Sequence, residues 1–423
     1  MSGAGRSTHR GIWFSAAILI AAVAVTATAL VATAGSGGSS GATGPALIQT
    51  HDAVKASPPT WGLASRPQMG HPGAPEWAPD GTIYMTDCTN ARIYRVTARR
   101  KIVVFGGSGP GGFPHYRLVP NYGWASADAF GGDGRHPTDA LFSCPAGLAF
   151  DKAGDMFIAD HLNGRIREIN TSGYVSTVAG TGPGGKWGGA FTPGVGPSAG
   201  DGGPAVNGIL VSPLGIAFDA AGNLYVADRD HDAIRKIDTN GILTTVAGIG
   251  WRGYNGDHRL ATTARLNRPI FVAFDAAGNM YISDENNYRI RKVDGAGMIS
   301  TFAGTGRYSC RGDGGPATHA SLKNPGQILV EPDGSMLISD GECFRIKRVA
   351  PDGTMSTYAG NGKKGCGGVG RDVSKLKVNG DVGLSLGPDG DTYITVCNKV
   401  IRVNSAGKTN VFIKTPPDPR KKH

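Results

Sequence analysis

One short motif, Gly-Asp-Gly-Gly-Pro-Ala and close variants of it, recurs along this chain of 423 residues. Its aspartates stand at Asp133, Asp201, Asp257 and Asp313, which are 68, 56 and 56 residues apart. A nearly fixed period of this length indicates an array of similar structural units that stack on one another. The motif therefore constrains the fold more than any other feature of the sequence.

The segments after each motif also recur. The unit PLGIAFDAAGNLYVADRDHDAIRKIDTNGILTTVAG from Pro213 shows the pattern of short apolar or β-branched runs separated by glycine-containing turns. Three further clear copies and a degenerate copy at each end make six units. Runs of this length between such turns predict strands, and the 67 glycines argue against a helical protein. The sequence therefore predicts an all-β fold, a six-bladed β-propeller of four-stranded antiparallel blades.

The repeats resemble a known family. The strings Gly-Asp-Gly-Gly-Pro-Ala, Pro-x-Gly-Ile-Ala-Phe-Asp, Asn-Leu-Tyr-Val-Ala-Asp and Arg-Ile-Arg-Lys-Val closely resemble those of NHL-repeat propellers, over residues 67 to about 414. The resemblance is weaker in the first unit, which lacks the Gly-Asp-Gly turn, and in the sixth, where Val396 replaces an acid. It implies a propeller used as a binding or sensing surface, as in the external domains of some bacterial membrane kinases.

The ends of the chain differ in composition from the repeats. Residues 1–34 have a basic start followed by an uncharged apolar run, which is typical of an export signal or of a retained membrane anchor. We expect a flexible linker at 35–66, a propeller at 67–414 and a basic tail at 415–423. Export predicts an extracellular or cell-envelope location. The blades are expected at about 67–109, 130–182, 198–250, 253–306, 310–362 and 363–414.

The formal net charge of +10 is spread along the chain. Residues 1–44 carry +2 and residues 415–423 carry +2, which leaves +6 for the body of the chain at 45–414. This excess is small for a body of that size, and an exported protein rarely meets nucleic acid. We therefore expect a monomer with no nucleic-acid partner, whose tail is able to touch anionic wall or membrane material.

Two acids recur in the units, one in the motif turn and one at the end of the second strand. A catalytic acid is needed once, so recurring acids indicate scaffold parts whose carboxylates cap backbone N–H groups of tight turns. Calcium binding is the alternative, although one acid per turn supplies few of the six to eight oxygens required. An arginine five residues after the strand-ending acid is expected to pair with it. The strand-ending acids are Asp87, Asp160, Asp228, Asp284 and Asp340.

Six cysteines in an exported chain indicate three disulfides, for which 15 pairings are possible. Their positions within the repeats narrow the choice, because cysteines before the motif turn and after the second strand fall in loops on one face. This register predicts Cys310–Cys343 and Cys366–Cys397 within blades, and Cys88–Cys144 between the first two blades.

Two insertions interrupt the repeats on that same face. The first contains GPGGFPHYRLVPNYGW from Gly109, and the second GPGGKWGGAFTPGVGP from Gly182. Long loops rich in aromatic and basic residues on a rigid scaffold often carry binding, although glycine-rich loops without a ligand are the alternative. The predicted ligand-binding residues are Phe113, Tyr116, Arg117, Tyr122 and Trp124 from the first loop, and Lys186, Trp187 and Phe191 from the second.

An enzyme is the competing interpretation, since some propellers are metal-dependent lyases, hydrolases or lactonases. The innermost strands here contain no histidine, and His136, His161, His231 and His258 lie in loops at different registers. Neither a Gly-x-Ser-x-Gly nor a His-Glu-x-x-His segment is present. The sequence therefore favours a scaffold that binds a protein, peptide or glycan, without catalytic residues, metal or cofactor. Glu76 stands where the innermost strands of other units have a small residue.

Overall fold

The computed structural model describes residues 73–107, 130–182, 199–380, 382–397 and 399–414, and the backbone of 116–119 and 123–126. The segments expected as signal or anchor, linker and basic tail lie outside the described residues. In the part of the chain that is described, the protein is all-β, with six antiparallel sheets arranged as propeller blades. The predicted fold class is confirmed.

The four main strands of each blade follow one another in chain order, from the innermost strand to the outer edge. Blade one contains β1 (Glu76–Trp77), β2 (Ile83–Asp87), β3 (Arg92–Val96) and β4 (Ile102–Gly107), and β5 (Tyr116–Val119) and β6 (Gly123–Ser126) form a hairpin in the first insertion. Blade two contains β7 (Pro145–Phe150), β8 (Met156–Asp160), β9 (Arg165–Ile169) and β10 (Val175–Ala179). Blade three contains β11 (Pro213–Phe218), β12 (Leu224–Asp228), β13 (Ala233–Ile237) and β14 (Leu243–Ala247).

The second half of the ring is built in the same way. Blade four contains β15 (Arg259–Leu260), β16 (Pro269–Phe274), β17 (Met280–Asp284), β18 (Arg289–Val293) and β19 (Met298–Ala303). Blade five contains β20 (Gly315–Pro316), β21 (Pro325–Val330), β22 (Met336–Asp340), β23 (Arg345–Val349) and β24 (Thr354–Ala359). Blade six contains β25 (Gly383–Leu386), β26 (Thr392–Val396), β27 (Lys399–Val403) and β28 (Thr409–Lys414).

Short 3₁₀ turns are the only helical elements within the described ranges, and none of them is long and apolar enough to cross a membrane. Each consists of three residues, placed either before an innermost strand or between the second and third strands of a blade. They are Pro137–Asp139, His161–Asn163, Ala205–Asn207, Arg229–His231, Ala261–Thr263, Glu285–Asn287, Ala317–His319, Gly341–Cys343 and Val373–Lys375.

The repeating Gly-Asp-Gly-Gly motif forms the outer edge of a blade. In blade three the Gly202 N–H donates to the carbonyl of Leu243 on the outermost strand, at 2.8 Å. In blades four and five the same segment is regular enough to add a fifth strand, since β15 pairs with β19 and β20 with β24. Blades four and five therefore have five strands each, one more than expected, and the additional strand is a two-residue strand at the outer edge.

Apolar side chains from neighbouring blades form the core. Between blades two and three, Ala159 and Ile166 of one sheet meet Leu224 and Val226 of the next, all nearly fully buried. Aromatic rings recur at the inner end of these interfaces, where Phe157 meets Phe218 edge-on with ring centroids 5.0 Å apart. A sheet that is apolar on both faces needs a neighbour on each side, and the ring supplies both.

Side-chain packing closes the ring between blades one and six. Met85 and Tyr94 of blade one share a buried cluster with Val400 and Ile413 of blade six. Trp77 packs edge-on against Tyr393 with ring centroids 4.6 Å apart. All strands of each of these two blades come from one continuous segment of the chain. Closure therefore depends on packing across the seam and involves no exchange of strands.

Candidate functional site

A buried cation between two acids is repeated in the middle blades. In blade two the fully buried guanidinium of Arg167 lies 2.5 Å from an Asp133 oxygen and 3.4 Å from an Asp160 oxygen. Both the motif acid and the strand-ending acid are thus held by one side chain of the third strand. The equivalent cations are Arg235 with Asp201, Arg291 with Asp257 and Asp284, and Lys347 with Asp313.

The expected ion pair between the strand-ending acid and the arginine five residues later is wrong for blades two and four, where Arg165 and Arg289 bind backbone carbonyls. Asp160 and Arg165 are opposite each other in the strand register, but the guanidinium of Arg165 donates to the carbonyls of Asn163 and Thr181. It also stacks 3.6 Å from the ring centroid of Phe130. The arginine two residues further along the strand takes the carboxylate, because it is fully buried and reaches both acids.

The strand-ending acids also accept hydrogen bonds from the loop before the innermost strand. In blade two Asp160 accepts from the Ser143 N–H at 2.7 Å and from the Asn163 side-chain amide at 2.8 Å. His231 takes the place of that asparagine in blade three, with its Nδ1 2.6 Å from Asp228. Burial raises the pKa of Asp160 to about 6, although these hydrogen bonds and Arg167 act against the shift.

Blade six replaces the whole charged arrangement with apolar side chains. The Gly370 and Val373 N–H groups bond the outermost strand as Gly314 and Ala317 do in blade five, so Val369 occupies the place of the motif acid. Val396 replaces the strand-ending acid, and Ile401 stands where blade five has Lys347. These three residues belong to one apolar cluster. Replacing both acids and the cation together leaves no buried charge without a partner.

All six cysteines are paired. The structure contains Cys88–Cys144 between the first two blades, Cys310–Cys343 within blade five and Cys366–Cys397 within blade six. These are the pairs that the repeat register predicts. In blade five the bridge occupies the place of the asparagine that binds the strand-ending acid elsewhere.

The structure describes only part of the predicted ligand-binding loops. Tyr116 and Arg117 lie on β5, and Trp124 lies on β6, opposite Leu118 in the register of the hairpin. The backbone of the hairpin therefore places these three residues on two adjacent, paired strands. The side chains of these residues, and all of Phe113, Tyr122, Lys186, Trp187 and Phe191, lie outside the described residues. Their role in binding stays a prediction.

The loop histidines bind different groups, although His161 and His231 are connected through Ser212, whose N–H donates to Asp228. His161 lies between blades two and three, with Nδ1 3.2 Å from the Ser212 hydroxyl, and burial lowers its pKa to about 4. His231 binds Asp228, and His136 binds Thr138 at 3.0 Å. Within the described parts of the chain, no group of three His, Cys, Asp or Glu side chains has the geometry to hold a metal ion.

Exposed aromatic side chains on the loop between blades three and four were missed by the sequence reasoning. Trp251 is 66% exposed, and the adjacent Arg252 lies 3.1 Å from Asp232. Tyr254, three residues after Trp251, stacks on the guanidinium of Arg289, whose Cζ lies 3.9 Å from the centroid of the tyrosine ring. The segment GIGWRGYNG carries the signal, since it combines aromatic and basic residues as the two insertions do.

Glu76 is the acid of the innermost strand β1, opposite Tyr84. Its carboxylate is half-buried, and no described residue donates a hydrogen bond to it. Burial alone raises its pKa to about 8. Folding therefore favours the protonated form, and this contribution to stability is lost as the pH rises from about 4.5 to 8.

We expect the variant Glu76→Gln to be more stable than wild type by about 1–3 kcal/mol at pH 9, since it removes an uncompensated, partly buried carboxylate. At pH 4 the two proteins should unfold alike, because Glu76 is then protonated in the folded state. Urea unfolding at both pH values measures the difference. Glu168→Gln is the control, since Glu168 accepts from the Ser176 hydroxyl. A gain that is equal at the two pH values would contradict the assignment.

Comparisons with known proteins agree with the repeats. The family profile described as the teneurin NHL domain matches residues 185–254. Teneurin-3 of Mus musculus is 28% identical over 242 residues, which cover 51% of this chain and 9% of that protein. Teneurin-m of Drosophila melanogaster is 36% identical over 101 residues, 21% of this chain and 4% of its own. The chain thus spans a small part of the curated relatives that it matches.

Among solved structures, an auxiliary nutrient binding protein from Bacteroides ovatus superimposes with a TM-score of 0.51 and 15% identity, covering 78% of this chain and 68% of that one. At this identity the likeness concerns the fold alone. The blades and their repeats together define the class of the protein: its described body is a six-bladed β-propeller, and the NHL profile matches residues 185–254 of it.

Proposed function

We propose that this protein is an exported NHL-type propeller that acts as a binding or sensing scaffold for a protein, peptide or glycan. The proposal depends on one observation: the recurring aspartates form ion pairs with buried arginine or lysine side chains of their own blades. Arg167, for example, is fully buried between Asp133 and Asp160. Side chains engaged in this way are poor candidates for recognition, which leaves that task to the irregular loops.

Three disulfides support the exported location, because such bonds persist in oxidising compartments. The apolar run in residues 1–34 supports either a cleaved signal or a retained anchor. In this proposal the propeller is a monomer outside the cytoplasm, without a nucleic-acid partner.

The two insertions are proposed as the recognition surface. A hairpin such as β5–β6 holds its residues in a defined register, which lowers the entropy lost when a ligand binds. Tyrosine, tryptophan and arginine are the residues most often found at the centre of binding surfaces. Trp124 and Trp187, one from each insertion, are the first choice for substitution.

Capture of ligands from the cell envelope tests the proposal. The wild-type protein should retain a partner that the double variant Trp124→Ala/Trp187→Ala loses, by at least about tenfold in affinity if both residues are central to binding. Tyr174→Ala is the matched control, since Tyr174 is an exposed aromatic residue in the turn between β9 and β10. Equal capture by all three proteins would refute the assignment of these loops.

Metal analysis of the same preparations addresses the competing enzyme. Stoichiometric zinc or calcium in the wild-type protein, lost when His136, His161 and His258 are replaced by alanine, would favour a metal-dependent lyase or hydrolase. The binding proposal expects the same metal content in both proteins.

A further inference from the structure

A basic cleft lies beside the outermost strand of blade six. The segment 361–378 carries five cations and one acid. Arg371, Lys375 and Lys377 line a cavity of about 590 Å³, together with the side chains of Asn361 and Ser374. The three cations therefore face one space, where their charges are able to act on the same bound group.

These cations have no carboxylate partner at ion-pair distance among the described residues. The one acid of the segment, Asp372, accepts from the Ser374 N–H at 3.0 Å and does not line the cavity. In blade five the corresponding turn carries Asp313, but blade six has Val369 in that place. The loss of the motif acid therefore leaves Asp372, which interacts with Lys375 and Lys408, as the one negative charge of this segment.

The backbone holds the cleft in a fixed shape. The Gly365 N–H donates to the carbonyl of Val378, and the Lys377 N–H donates to the carbonyl of Gly367 at 2.8 Å. Gly368 has φ +90°, and a Cβ there would collide with the carbonyl oxygen of Lys375, so only glycine permits this approach. The disulfide Cys366–Cys397 ties the same loop to the end of the second strand.

The direction of the lysine side chains follows from burial. Leu376 and Val378 point into the apolar cluster of blade six and are fully buried. Lys375 and Lys377 alternate with them and are exposed. The local backbone therefore presents both ammonium groups to solvent on the cavity side, while the alternate side chains anchor the segment.

We infer that this cleft binds the sulfate or phosphate groups of an anionic polysaccharide. Cations without a carboxylate at ion-pair distance in a concave, preformed surface suit oxyanions, and the amide of Asn361 suits a hydroxyl-rich chain. Among the described residues that line the cavity, none has an aromatic side chain on which nucleic-acid bases could stack. Its one larger apolar residue, Val369, is half-buried, so the cleft lacks the exposed apolar face by which amphipathic segments insert into a membrane.

The site shares no residue with the proposed recognition loops, so the two assignments fail or succeed separately. The test compares full-length wild type with the variant Arg371→Gln/Lys375→Gln/Lys377→Gln. A matched control, Arg99→Gln/Lys101→Gln/Arg135→Gln, removes the same charge at exposed positions elsewhere. The probes are dextran sulfate, a phosphomannan, neutral dextran and vesicles of phosphatidylglycerol with phosphatidylcholine.

We expect wild type to bind dextran sulfate and phosphomannan but not neutral dextran, with an affinity that falls as salt is raised. The cleft variant should bind either anionic glycan at least about tenfold more weakly, whereas the control should change by less than about twofold. An equal loss in both variants, failure of wild type to bind, or binding to the vesicles in preference to the glycans would overturn the inference. Unchanged melting temperatures of both variants exclude misfolding, since all the substituted side chains are exposed.

Discussion

Replacement of Arg291 by isoleucine is expected to destabilise the propeller by about 3–5 kcal/mol. The guanidinium of Arg291 is fully buried, 2.8 Å from an Asp257 oxygen and 3.6 Å from an Asp284 oxygen. Without it, Asp284 remains buried as an uncompensated acid, and burial already raises its pKa to about 6. Urea unfolding of the variant at pH 7 measures the loss.

Blade six supplies the control for this experiment. Its apolar residues Val369, Val396 and Ile401 stand where blade four has two acids and an arginine. The triple variant Asp257→Val/Arg291→Ile/Asp284→Val should therefore recover most of the stability lost by Arg291→Ile, since no buried charge remains unpaired. Arg291→Lys should cost less than isoleucine, because blade five uses Lys347 in this position. A triple variant as unstable as the single variant would show that the carboxylates are needed for more than charge balance.

Removal of the disulfide Cys88–Cys144, by Cys88→Ser/Cys144→Ser, is expected to cost about 4 kcal/mol on the chain-entropy account. The bond joins residues 56 positions apart and ties blade one to blade two across the first insertion. Blade one is then held by apolar packing and by side-chain hydrogen bonds to its two neighbours, from Thr86 to the Ala146 carbonyl and from Thr395 to the Gly73 carbonyl. Thermal unfolding under non-reducing conditions measures the change.

A second disulfide variant shows whether the location of the bond matters in addition to the entropy of the unfolded chain. Cys366→Ser/Cys397→Ser removes a bridge within blade six, which spans 31 positions, and its cost should be smaller by about 0.5 kcal/mol. After proteolytic cleavage between β4 and β7, wild type should keep blade one attached through the disulfide, and the Cys88→Ser/Cys144→Ser variant should release it on unfolding. Retention of blade one by the cleaved, unfolded variant would contradict the account.

The repeat explains why so much of the fold was predictable. Six related segments in one chain provide an internal comparison, so that a turn or a strand seen in one unit identifies its counterpart in another. The same comparison restricted the cysteine pairs, because Cys310 and Cys366 both precede the motif turn, and Cys343 and Cys397 both follow the end of the second strand. Binary patterning alone would have left both the blade count and the disulfides open.

The details that sequence reasoning missed depend on side-chain reach. Strand register correctly places Asp160 opposite Arg165, but burial and length decide that Arg167 takes the carboxylate. In the sequence, only Val396 could be recognised as a replacement for an acid in blade six. The equivalence of Val369 and Ile401 to charged residues of the other blades follows from the strand pairing in the structure. The insertions occur once, so the repeats offer no comparison from which to derive the contacts of Trp124 or Trp187.

The seam between blades one and six has an evolutionary consequence. Because no strand is shared across it, the strands of every blade come from one uninterrupted stretch of the polypeptide. Duplication or deletion of such a stretch adds or removes a complete sheet and leaves none with a missing edge. The ring that results has only to adjust the angle between adjacent wedges.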